Sequence, residues 1–96
     1  STAGSSLLEQ ADQAIRAENW TVALQCTSDS LASAIEQGDH KMEILSLLSM
    51  ARIPSEQAQA IDRAYHRTQE MNDMNLITLV KKSMDSLGID VPTHTF

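Results

Sequence analysis

The sequence predicts an all-α fold of about five antiparallel helices, and three observations carry that expectation. Apolar residues recur at three- and four-residue steps along most of the chain, which is the spacing of one helix face. No segment alternates apolar and polar residues as a half-buried strand would. Aromatic residues make up 3% of a chain that is 42% apolar, so the core must come from Leu, Ile, Ala and five Met. That composition suits closely packed helices better than a β-sandwich, whose strands favour β-branched and aromatic side chains.

The elements follow in order. A first helix is expected over about residues 6–17, with Leu7, Leu8, Ala11, Ala14 and Ile15 on one face and Ser6 and Glu9 at capping-box spacing. Residues 1–5 read as a flexible lead-in or an appended remnant. A second helix, about 20–37, carries the stripe Trp20, Ala23, Leu24, Thr27, Leu31, Ala34 and Ile35 and stops at Gly38. Asp39 caps a third, about 40–52, which Met42, Ile44, Leu45, Leu47, Leu48, Met50 and Ala51 make apolar nearly all round. Pro54 ends it, because a proline pushes the residue before it out of helical geometry. Ser55 caps a fourth, about 55–71, with Ile61, Ala64, Tyr65, Thr68 and Met71 on one face. After the corner Asn72-Asp73, a fifth helix, about 74–87, carries Leu76, Leu79, Val80, Met84 and Leu87 and closes at Gly88. The tail, 89–96, contains Pro92 and no periodicity; it is either docked along the last helix or loose.

Between the first two helices lies Ala17-Glu18-Asn19-Trp20-Thr21-Val22-Ala23-Leu24, which contains the glycosylation triplet Asn-Trp-Thr. Trp20 belongs to the apolar stripe of the second helix, so the stretch is expected to be a tight corner with Trp20 tucked between helices. The triplet then reads as accidental.

Ninety-six residues make one domain. The net charge of −6 argues against nucleic acid and anionic membranes as partners. No apolar run reaches the roughly 18 residues of a membrane span, and the polar, uncharged start is unlike a signal peptide. The single cysteine, Cys26, cannot form an internal disulfide, and a cytoplasmic or otherwise reducing compartment is the simpler reading. No catalytic pattern is present. His40, His66 and His94 lack the spacing of a zinc site, no glycine-rich phosphate loop occurs, and Cys26 sits among small residues as a buried thiol would. His40 and Glu43 read as a solvated face. Arg63, His66 and Arg67, with Lys81 and Lys82 further on, form either a basic patch or an ordinary exposed face. The expectation is therefore no enzyme activity, no cofactor and no metal.

Shifted by 34 residues, the chain lays Gly38-Asp39 over Asn72-Asp73, Met42 over Leu76, Leu45 over Leu79 and Met50 over Met84. The same shift carries Leu8 to Met42 and Ala11 to Leu45. This is the spacing of stacked helical hairpins. Leu7 to Gly38, with Ala11, Asn19-Trp20 and Ala23-Leu24, resembles a tetratricopeptide (TPR) hairpin, and Ala60 to Gly88 is similar to a second helix followed by a terminal one. The chain departs from that family at Ala14, Thr27 and Ile35, and at Gln57, which aligns with Ala23. The resemblance implies stacked hairpins whose first helices line a concave face; a closed five-helix bundle is the alternative. It places Leu8, Met42 and Leu76 where some members hold Lys, Asn and Arg for a partner's terminal carboxylate, so that clamp is absent and the groove is expected to be apolar.

On this reading the chain is a non-catalytic interaction module, an adaptor or scaffold. It would present Leu8, Met42, Met50, Leu76, Val80 and Met84 to an apolar or amphipathic segment of a partner protein. Two other classes stay open: a structural bundle that self-associates, for instance as a homodimer, and a small acidic chaperone.

Overall fold

The computed structural model describes residues 2–90, with side chains from Ser6 onward. The chain is all-α: α1 (Thr2–Arg16), α2 (Trp20–Gln37), α3 (His40–Met50), α4 (Gln57–Met71) and α5 (Met74–Ser86), with no strand among the described residues. The expected tail from Val91 to Phe96 lies outside the described residues.

Three corners share one construction. A residue with positive φ ends one helix and an Asn or Asp caps the next: Glu18 then Asn19, Gly38 then Asp39, Asn72 then Asp73. The cap oxygens accept from Val22 N, Met42 N, and Asn75 and Leu76 N, occupying donors that a helix start leaves unpaired. At the first two corners the cap residue's own N–H donates back five residues, Asn19 to Ala14 O at 2.8 Å and Asp39 to Ala34 O at 2.9 Å. Gly88 and Ile89 repeat this after α5, with Ile89 N donating to Met84 O at 2.8 Å. These are Schellman closures, in which the left-handed residue turns the chain sharply enough to start an antiparallel neighbour. The opening corner is therefore a helix–helix turn, with Trp20 half-buried against Ala14, Ile15, Ala23 and Ile53.

Two boundaries differ from expectation. α1 starts at Thr2, not at residue 6, because nothing between Thr2 and Ser6 breaks a helix and a Gly there costs only about 1 kcal/mol. α3 ends at Met50, and α4 starts at Gln57 without the Ser55 cap. Ser55 instead bonds its neighbour Glu56, and 51–56 winds through successive short turns. The cause is Ile53, 1% exposed, which plugs the base of the α1/α2 hairpin and pulls the chain off the helix axis.

The helices pack as an open stack in two layers. α1 meets α2 and α3; α3 also meets α2, α4 and α5; α4 meets α5. Among the described residues α1 reaches neither α4 nor α5 in backbone contact, as a closed bundle would require, and the chain is only 17 Å through its thinnest dimension. α1, α3 and α5 form one layer, α2 and α4 the other. Small residues set the spacing, since Ala11 and Ala23 are fully buried at the α1/α2 crossing. The main core joins Leu31, Ile44, Leu47, Met50, Tyr65, Leu76, Val80 and Met84. Full burial of side chains such as Ile44, Leu47 and Val80 contributes about 1.5–3 kcal/mol each.

The two ends of the stack differ. The buried α3 residues Ile44, Leu47, Leu48 and Ala51 correspond, 34 residues on, to Thr78, Lys81, Lys82 and Asp85, all exposed. α5 is apolar towards the stack and polar beyond it.

Candidate functional site

The α1–α3–α5 layer presents an apolar trough. Leu8, Glu9, Asp12, Gln13, Met42 and Leu45 line a cleft of about 480 Å³ between α1 and α3. A second cleft of about 280 Å³ continues it towards α5, lined by Leu8, Leu45, Leu48, Ser49, Arg52, Leu79, Ser83, Ser86 and Leu87. Leu8 and Leu45 belong to both clefts, which makes them one surface. Its floor follows from register. Leu45 and Leu79 are 34 residues apart, as are Ser49 and Ser83, and all four are half-buried. Each of α3 and α5 thus adds a leucine and, one turn later, a serine.

One wall of the trough is charged. Asp12 accepts from Arg52 Nη1 at 2.8 Å and from Arg16 Nε at 3.0 Å, so one carboxylate is shared by two guanidiniums. The bond from Arg52, with the nearby charge of Arg16, holds the Asp12 carboxyl below the usual carboxylate range.

The residues expected to contact a partner divide into two groups. Leu8 and Met42 are half-buried and line the trough. Met50, Leu76, Val80 and Met84 are buried core residues and give the trough nothing. The correction has a geometric cause. Leu76, Val80 and Met84 recur at four-residue steps along the edge of α5 that packs into the stack, whereas Leu79, Ser83 and Leu87 lie on the next edge round. The same rotation puts Met50 in the core and Leu45 on the surface. The match of Leu45 to Leu79 under the 34-residue shift was the signal that could have identified the trough residues.

A polar cleft of about 510 Å³ lies on another side, lined by Ile35, Gly38, His40, Glu43, Asp62, Arg63, His66, Arg67 and Glu70. Glu43 is not on a solvated face, as its spacing from His40 suggested. Its side chain is 7% exposed and accepts from Arg67 Nε at 3.0 Å. His66 lies 3.3 Å from Asp62. Two of the basic residues in this region are thus engaged by carboxylates, and the cleft holds three carboxylates against two arginines. Cys26 is buried and unpaired.

Among the described residues no three His, Cys, Asp or Glu side chains gather as a metal site, and no helix is long and apolar enough to cross a membrane. No protein family, curated protein or solved structure matches the chain.

Proposed function

We propose that this chain is a non-catalytic protein–protein interaction module, built as a degenerate TPR-like stack of helical hairpins. Its α1–α3–α5 trough receives an apolar or amphipathic segment of a partner protein. The observation that carries this reading is the trough itself: Leu8, Met42, Leu45, Leu79 and Leu87 form one apolar surface on rigid helices. A preformed groove loses little ordering entropy on binding, so the apolar area it covers contributes more fully to affinity. The 34-residue recurrence of corners, caps and trough leucines supports the stacked-hairpin description.

The test uses the paired variants Leu45→Glu and Leu79→Glu. Both side chains are only half-buried, so each variant is expected to keep the native helical circular-dichroism spectrum while losing partner capture. Hydrogen exchange on a captured complex should show protection concentrated in α1, α3 and α5. Undiminished capture by the folded variants would rule this face out. A concentration-dependent dimer that the same substitutions dissolve would assign the trough to a second copy.

A further inference from the structure

We propose that the segment seated in the trough carries a side-chain carboxylate within or beside its apolar stripe, and that Arg52 receives it. This rests on the trough being the docking face and adds the chemistry of its occupant.

Arg52 is the only basic residue lining the two clefts, and it stands among Leu8, Leu45, Leu48, Leu79 and Leu87. It spends one N–H on Asp12, at 2.8 Å, and a guanidinium has five to give. Asp12 is also bound by Arg16, so the three side chains together carry one uncompensated positive charge. That charge is notable on a chain whose net charge is −6. Beside it, the hydroxyls of Ser49 and Ser83 face the same cleft without a side-chain hydrogen bond among the described residues. An apolar floor ending in a partly free guanidinium and two hydroxyls matches leucine-like side chains followed by Asp or Glu. A carboxylate takes two parallel N–H bonds from such a fork, whereas a neutral amide or an ammonium does not. Apolar contact would supply affinity here and the carboxylate would fix register.

The probes are two synthetic amphipathic helical peptides of roughly 18 residues, long enough to hold helix once docked. They are identical except for Glu or Gln at the end of the apolar stripe. With the native chain at low salt, the Glu peptide is expected to bind about three- to tenfold more tightly, the scale of a partly exposed charge-assisted pair, and salt should shrink the difference. Arg52→Gln should equalise the two peptides. Asp12→Asn, which removes the competing anion while keeping a hydrogen-bond acceptor, should widen the preference. This second variant decides the matter if Arg52→Gln disturbs the fold. Equal binding of both peptides by the native chain, with Leu45→Glu abolishing both, would overturn the carboxylate proposal and leave the trough reading intact. A preference that survives in folded Arg52→Gln would also overturn it. Failure of both peptides to bind the native chain would overturn the trough reading together with this proposal.

Discussion

Ser30 and Ser46 meet hydroxyl to hydroxyl at 2.7 Å across the α2–α3 crossing, and both are completely buried. Ser46 Oγ donates to the Met42 carbonyl at 2.7 Å, so its single proton is used and Ser30 must be the donor to Ser46. The two serines let α2 and α3 approach closely and form a relay that ends on a helix carbonyl. Ser46→Ala removes the acceptor for a buried hydroxyl and is expected to cost about 1–3 kcal/mol in urea unfolding. The double variant Ser30→Ala with Ser46→Ala should cost less than the two single losses added together. A double-mutant cycle measures the coupling.

The pair between Glu43 and Arg67 is more sensitive on one side than on the other. Glu43 is almost enclosed, while Arg67 is about one-third exposed, at 34%. Arg67→Ala strands a buried carboxylate and should destabilise by about 2–4 kcal/mol. Exchanging both residues for Met should be far milder, because no unpaired charge remains.

Backbone conformation sets opposite expectations at two corners. Glu18 holds φ 56° without being Gly or Asn, at a cost of about 1 kcal/mol. Glu18→Gly should therefore raise stability by about 0.5–1 kcal/mol in thermal melts. Gly38 has φ 65°, and an added Cβ would meet nothing within 4 Å. Gly38→Ala should lose about 1 kcal/mol through backbone strain alone.

Acid should loosen the fold through two carboxylates. Arg52 lowers the pKa of Asp12, and the Met42 N–H lowers that of Asp39. A group with a depressed folded pKa contributes its full stabilisation above its unfolded value and loses it as pH falls through the folded one. Stability should thus decline below about pH 4, where free Asp protonates. Asp12→Asn and Asp39→Asn, which keep an acceptor but cannot titrate there, should each flatten that acid limb. An unchanged slope in both variants would remove these two residues from the explanation.

The division of α5 into a core edge and a trough edge can be measured directly. Met84→Ala should cost about 2–4 kcal/mol by opening a cavity in a fully packed region. Leu79→Ala, at a half-buried position, should cost about 1 kcal/mol or less.

The sequence made some levels of this structure more readable than others. The cap and stop residues Asn19, Gly38, Asp39, Asn72 and Asp73 act through local backbone chemistry, so the corners and the boundaries of α2 could be read directly. The start of α4 could not, because a distant contact decides it: Ile53 gains more by filling the α1/α2 hairpin than Ser55 would by capping. The trough was half-legible for a similar reason. Periodicity shows that Leu76, Leu79, Val80 and Met84 share one broad side of a helix, but which of them the neighbours cover depends on how that helix is rotated. The partners of Ser30 and Glu43 lie 16 and 24 residues away in the chain, beyond the reach of any local pattern.

The polar outer side of α5 makes this array finite at that edge. An incoming helix would meet Thr78, Lys81, Lys82 and Asp85 where the internal junction offers Ile44, Leu47, Leu48 and Ala51. It would have to strip water from charges and gain little apolar contact in return. Copies therefore do not string into filaments through this boundary. Lengthening the array by protein engineering would begin with those four side chains, recast in the chemistry of their counterparts on α3.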